Sequence, residues 1–177
     1  MHKNDFADNT QKYFIMTMGA PGCGKNFWID NFLATMVADN VDNWVVLETD
    51  AIIEEWAAEA GLTYSESFGK FNFKDVEKEF SKRLNQAIAD GKNIIWNQTN
   101  MTIKSRTSKL ARIPADYHKR LINFIVSSFT LTMQLKKREE ETNGAKKIPM
   151  KVITQMLSSY QRPDKTEGWD VITEIKR

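Results

Sequence analysis

Gly19-Ala20-Pro21-Gly22-Cys23-Gly24-Lys25-Asn26 is the stretch that decides how this chain is read. Its first seven positions fit the phosphate-binding loop pattern G-x-x-x-x-G-K-[ST]. Before it runs Tyr13-Phe14-Ile15-Met16-Thr17-Met18, a short apolar stretch of the kind that forms a buried strand. After it, Phe27, Trp28, Ile29, Phe32 and Leu33 recur at helical spacing. Strand, glycine loop and helix are the setting such a loop needs. The glycines let successive backbone N–H groups turn toward phosphate oxygens. The helix N-terminus adds partial positive charge, and Lys25 supplies a point charge for the outer phosphates. One position departs from the pattern. Asn26 stands where Ser or Thr would offer a hydroxyl to magnesium, and its amide oxygen is the candidate ligand there, directly or through a water.

Further along, the chain alternates. The loop helix is expected over Lys25 to Ala38, a second strand at Trp44 to Leu47, and a helix from Ala51 to Ala60, stopped by Gly61. Gly61 to Asn72 lacks a period and is expected as a loop at the rim of a site. Lys74 to Asp90 predicts a helix, with Val76, Phe80, Leu84, Ala87 and Ile88 on one face and Gly91 ending it. Asn93 to Trp96 is the third strand, Thr102 to Ile113 a basic helix ended before Pro114, and Leu121 to Val126 the fourth strand. Helices follow at Thr130 to Glu141 and Pro149 to Tyr160, with a loop at Thr142 to Ile148 between them and a last strand at Val171 to Ile175. Short apolar strands alternating with helices imply an α/β fold: a parallel sheet of about four to five strands with helices on both faces. Residues 1–11 are expected as a loose arm, and 12–177 as a single domain carrying a lid at about 136–149.

Composition sets outer bounds. The chain has 177 residues, enough for one domain with a real core, and a net charge of +2 that neither demands nor excludes nucleic acid. Cys23 is the one cysteine, so no internal disulfide forms and a reducing, cytoplasmic setting fits. At a helix N-terminus Cys23 reads either as a redox sensor or as a small residue in a permissive loop. No apolar run is long enough for a membrane span. His2 and His118 have no partner at metal-ligand spacing, so no zinc site is assigned.

In parallel sheets, ligands bind beyond the carboxyl ends of the strands. Two further strand ends therefore matter. Glu48-Thr49-Asp50 closes the second strand. Asp50 reads as a helix cap or as the general base that takes a proton from an acceptor hydroxyl. Glu48 is a second candidate base, aimed differently by strand alternation. Asn97-Gln98-Thr99-Asn100 closes the third strand, where many phosphate-loop proteins carry a magnesium-binding Asp. These four read as a turn and cap, or as amides that orient the acceptor. Arg138, Lys146 and Lys147, near Lys136 and Lys137, read as lid cations over the transferring phosphate or as a solvated face beside Glu139, Glu140 and Glu141. Lys104, Arg106, Lys109, Arg112, Lys119 and Arg120 form the most basic segment, an exposed face or a track for a phosphodiester backbone. Trp28, Trp56, Trp96 and Trp169 are expected in the core. Phe68, Phe71 and Phe73 belong to the rim loop, with packing as the default and base stacking the alternative.

The residues resemble the kinase domain of 5′-polynucleotide kinases of the bacteriophage and animal end-repair types, from Tyr13 to Ile175. The likeness rests on Gly19 to Lys25, on a strand ending at Asp50, and on Thr99-Asn100. Most distinctive is the order Arg138, Ile148-Pro149, a helix bearing Met and Tyr, Pro163, Glu167-Gly168-Trp169 and Ile175. The resemblance implies a P-loop NTPase kinase fold and transfer of the γ-phosphoryl group of ATP, with magnesium, to a 5′-hydroxyl end of DNA or RNA. By similarity Asp50 is the base, Lys25 holds the outer phosphates and Arg138 is a lid arginine, with Gln98, Thr99 and Asn100 near the acceptor. Departures accompany it. Asn26 and Asn97 or Gln98 replace the usual metal ligands. Ile53 falls where phage relatives have an arginine for the acceptor's phosphate, and Asn143 where they have a second lid arginine. A kinase for a small-molecule hydroxyl, and a nucleotide-binding module without chemistry, are the alternatives these departures leave open.

Overall fold

The computed structural model describes residue 6 and residues 10–62, 64–67, 70–142 and 148–177. Asn143, Lys146, Lys147 and Phe68 lie outside the described residues, as does most of the expected N-terminal arm. Phe6, within that arm, is buried against Tyr13, Phe32 and Trp44.

Five parallel strands form one sheet in the order β2-β3-β1-β4-β5. They are β1 (Lys12–Met18), β2 (Trp44–Leu47), β3 (Asn93–Asn97), β4 (Tyr117–Ile125) and β5 (Val171–Lys176). β1 is the central strand and is buried from Tyr13 onward, which is why it reads as a continuous apolar run rather than an alternating one. β4 begins earlier than its apolar run predicts. Tyr117 to Arg120 pair with Lys12 to Ile15 although three of the four are polar, and the Arg120 guanidinium lies 4.7 Å from the centre of the Phe6 ring. A cation resting on an aromatic face hides a strand residue from any hydropathy reading.

Helices cover both faces of the sheet. On one face α2 (Thr49–Glu59), α4 (Phe73–Ala89) and α5 (Ile103–Leu110) cover Phe14, Met16, Met18, Ile94, Trp96 and Leu121. On the other, α1 (Lys25–Thr35), α6 (Ser128–Glu141) and α7 (Met150–Ser158) cover Tyr13, Ile15, Ile95, Ile122 and Phe124. Their ends follow side-chain chemistry. Asn72 caps α4 through a bond from the Lys74 N–H at 3.0 Å, and Gly91, with φ of 66°, follows its last turn. Thr102 caps α5 rather than belonging to it, accepting from Ser105 N–H at 3.1 Å. Ser127 caps α6, which starts two residues before the expected Thr130. The rim stretch after Gly61 contains a short helix, α3 (Tyr64–Ser67), that its composition does not announce.

Trp96 and Trp169 are buried, and Trp28 and Trp56 pack partly buried against the two clusters. The basic segment is turned inward more than a charge run predicts. Arg106 is fully buried and paired with Glu167 at 2.6 Å, and Arg112 stacks over Trp96 at 5.2 Å. Lys104 remains exposed. Phe71 packs half-buried in the core and Phe73 is exposed at the start of α4.

Candidate active site: the phosphate loop and two strand ends

β1 delivers the chain to the glycine loop at the carboxyl edge of the sheet, and α1 leaves it. Gly22 sits at φ of 81°, and a Cβ there would lie 2.9 Å from Leu135 of α6, so this position needs glycine on both backbone and packing grounds. Gly24, at φ of 94°, is the N-cap residue of α1. The Gly19 N–H donates to the Thr99 carbonyl at 2.9 Å, tying the loop's first residue to the end of β3.

Lys25 curls back into its own loop. Its Nζ donates to the carbonyls of Gly19 and Ala20, each at 3.0 Å, and approaches Cys23 Sγ at 3.8 Å. Burial pushes the Lys25 ammonium below its ordinary range; Cys23 and Glu48 oppose that shift, and Arg138 adds to it. Arg138 lies on α6, the helix whose Leu135 packs against Gly22 of the loop. Lys137 makes the i,i+4 pair with Glu141 at 3.6 Å, so that part of α6 is a solvated face. Burial also pushes the Cys23 thiol up, against Lys25, and Cys23 is a small residue buried in the loop.

The two departures from the loop pattern meet in space. Asn97, at the end of β3, accepts from Thr17 Oγ1 at 2.6 Å through its Oδ1. Its Nδ2 donates to Asn26 Oδ1 at 3.1 Å and also to Glu48 Oε1. Of the two residues expected to replace the strand-end Asp, Asn97 therefore faces the loop. Glu48 is the N-cap residue of α2, yet its side chain makes no capping bond. Burial raises its pKa above the ordinary carboxylate range; the Asn97 hydrogen bond and Lys25 oppose this, while Asp50 and Glu54 add to it.

Asp50 lies in the first turn of α2, exposed, two residues past the cap, so the capping role belongs to Glu48's backbone and not to Asp50. Gln98 is turned the other way from Asn97. Its Oε1 accepts from Trp96 Nε1 at 3.1 Å and from Lys109 Nζ, and its Nε2 donates to Thr49 Oγ1 at 3.2 Å. Asn100 is buried at φ of 49°, with Nδ2 donating to the Thr17 carbonyl at 2.7 Å and Oδ1 accepting from Lys109. Thr99 is half-buried and contributes its carbonyl to Gly19. Ile53 packs half-buried against the core, so α2 offers no cation at that position.

Lys109 is a residue of this region that sequence reasoning placed only in a charge run. Burial pushes its pKa down to about 8, with Glu77 opposing and Arg112 assisting. The signal lay in helical spacing: Arg106, Lys109 and Leu110, three and four residues apart, fall on the side of α5 that turns to the core, with Arg106 and Leu110 buried.

Among the described residues no three His, Cys, Asp or Glu side chains gather to cage a metal. What converges instead is a set of hard oxygens, Asn26 Oδ1 and the Glu48 carboxylate, beside a phosphate loop. That donor set fits magnesium, which keeps waters and shares itself between one or two carboxylates and substrate phosphates. No helix among the described residues is long and apolar enough to cross a membrane.

A parallel five-stranded sheet with a glycine loop and lysine after its central strand defines a P-loop kinase-like α/β domain. A sequence model of the family described as an AAA domain matches residues 14–163, and the chain belongs to that family. No curated protein matches it. Among solved structures, it is similar to the Pnkp1/Rnl/Hen1 RNA repair complex at 20% identity and a TM-score of 0.62, covering 86% of this chain and 45% of that one. It thus spans less than half of that relative. It is also similar to a fungal RNA kinase, at 14% identity and TM-score 0.58 over 94% of this chain and 75% of that one. A gluconokinase from Sinorhizobium meliloti follows at 12% identity and TM-score 0.52, over 93% and 82%. At such identities the likeness is one of fold.

Proposed function

We propose that this protein is an ATP-dependent kinase that transfers the γ-phosphoryl group to a 5′-hydroxyl end of DNA or RNA. The observation that carries the reading is the grouping at one sheet edge of a phosphate loop with Lys25 and an exposed carboxylate at Asp50. Backbone N–H groups of the later loop residues, from Gly22 to Asn26, cradle the triphosphate. Lys25 leaves its carbonyls for the outer phosphates. The acceptor oxygen attacks the γ-phosphorus, the bond to the β–γ bridging oxygen breaks, ADP leaves, and the acceptor's proton passes to Asp50. Arg138 offsets charge on the transferring group. Bound magnesium would neutralise β- and γ-oxygens, with Asn26 among its ligands. Gln98, Thr99 and Asn100 shape the edge where the acceptor approaches. The polynucleotide acceptor is supported by the order of motifs from Arg138 to Trp169, and by fold likeness to structures whose names include RNA repair and RNA kinase.

A second reading, a kinase for a small-molecule hydroxyl, is favoured by one observation: Ile53 packs into the core where an acceptor-phosphate cation would be useful. The test is transfer of labelled γ-phosphate from ATP to a 5′-hydroxyl oligonucleotide, beside Asp50→Ala and a panel of nucleosides and sugars. Labelled oligonucleotide with the wild type alone supports the first reading, and label on a small acceptor the second. ATP binding with no label anywhere would leave a binding module and sink both.

A further inference from the structure

We infer that Glu48 supplies the carboxylate that holds the nucleotide's divalent cation, replacing the ligands that the phosphate loop and the third strand lack. The inference rests on the nucleotide-binding reading above and assigns Glu48 a role distinct from that of Asp50. Its basis is convergence. One amide nitrogen, Asn97 Nδ2, donates to oxygens from two separate elements: Asn26 Oδ1 at the start of α1, and Glu48 Oε1 at the end of β2. The shared donor brings the two oxygens together, and a cation that displaced that amide would be held by both.

The capping role does not account for Glu48. The residue opens α2, but the side chain makes no capping hydrogen bond and turns toward the loop instead. Nor does it neutralise Lys25 by contact, since the lysine's hydrogen bonds go to Gly19, Ala20 and Cys23. The half-buried carboxylate takes its hydrogen bond from a neutral amide, and a divalent ion is a partner that would bring opposite charge to it. The two carboxylates of the β2 end thereby divide the work. Glu48, turned in, holds the cation, and Asp50, exposed, remains for the acceptor's proton.

The experiment measures ATP affinity by titration, without any acceptor, in EDTA and then in magnesium, for wild type, Glu48→Gln and Glu48→Gln/Asn97→Asp. Manganese, followed by electron paramagnetic resonance of the ternary complex, serves as the spectroscopic probe. Wild type is expected to bind ATP in EDTA and to gain affinity from magnesium. Glu48→Gln, which keeps the oxygen that Asn97 bonds, should bind equally in EDTA and lose the magnesium gain by about tenfold or more. The double variant, with its carboxylate moved to β3, should recover the gain and a bound manganese signal. A Glu48→Gln protein that keeps the full gain overturns the inference and leaves the kinase reading standing. A wild type that binds ATP but gains nothing from either metal does the same. A wild type that binds no ATP under either condition removes the reading and the inference together.

Discussion

The Arg106 guanidinium grips the Glu167 carboxylate with two hydrogen bonds, Nε to Oε2 at 2.7 Å and Nη2 to Oε1 at 2.6 Å, and both side chains are almost wholly buried. Arg106 also donates to the Asn100 carbonyl at 3.1 Å, so the pair links α5, the end of β3 and the turn before β5. Burial raises the Glu167 carboxyl, but bonds from Arg106, Trp169 and the Asp164 amide outweigh it and hold the group below its usual range. Arg106→Met would strand that carboxylate in the core. Urea denaturation should show a loss of about 3–5 kcal/mol, with much of it recovered in Arg106→Met/Glu167→Leu. A single variant as stable as wild type would contradict a buried, coupled pair.

Gly22→Ala combines a positive φ with a close approach to Leu135. The backbone alone costs about 1–2 kcal/mol for a non-glycine residue. Thermal melting should show a lowered midpoint, and nucleotide affinity should fall with it, because Leu135 must move and α6 carries Arg138. Unchanged melting would place the loop in another conformation.

Lys25→Ala removes the loop's point charge. ATP affinity should drop about 10- to 100-fold, the scale of a lost charge-assisted hydrogen bond, and phosphoryl transfer should cease. The folded protein should suffer little, since burial already disfavours this ammonium. Undiminished turnover would take the loop out of the mechanism.

Asp50→Asn keeps the shape of an exposed side chain in the first turn of α2 and removes its basicity. We expect kcat to fall about 100- to 10,000-fold, with ATP affinity nearly unchanged. Equal losses in both would recast Asp50 as a binding residue.

Glu48 predicts a pH signature without nucleotide. Its folded pKa is raised, chiefly by burial. At low pH the carboxyl is protonated in both folded and unfolded chains and costs nothing. As pH rises above about 4 the unfolded chain ionises first, so wild type loses stability relative to Glu48→Gln until the folded group has ionised too. Denaturation at stepped pH should show the variant ahead at neutral pH and level at acid pH. Saturating magnesium and ATP should reverse the neutral order. A constant difference at every pH would refute the burial argument.

The sheet, its helices and the glycine loop were legible because each leaves a local mark: apolar runs, helical periods, and glycines beside a lysine. Contacts between distant segments left none. Nothing near Asn26 or Asn97 in sequence says that they share a hydrogen bond, or that Glu48 joins them. Strand alternation does not separate Glu48 from Asp50, since residues two apart share a face. They diverge because β2 ends at Leu47 and α2 begins at Thr49, which puts Asp50 in a helical turn. The basic helix was misleading because Arg106 and Lys109 sit on the core-facing side, where their partners, Glu167 and the amides of Gln98 and Asn100, come from other elements. The early start of β4 was hidden because a guanidinium over Phe6 looks polar in sequence and packs as though it were not.

The strand order carries a consequence for how the protein is made. β1 pairs with β3 and β4, Phe14 beside Ile94 and Lys12 beside Tyr117, and never with β2, the strand that follows it in the chain. Contacts so far apart in sequence are slow to form, and on a ribosome they wait for the later segment to emerge. A nascent chain ending before Thr99 already holds every residue of the glycine motif but lacks the carbonyl that anchors Gly19. During synthesis, then, a motif that looks local is completed late, and the central apolar strand is the segment a chaperone would have to shield longest.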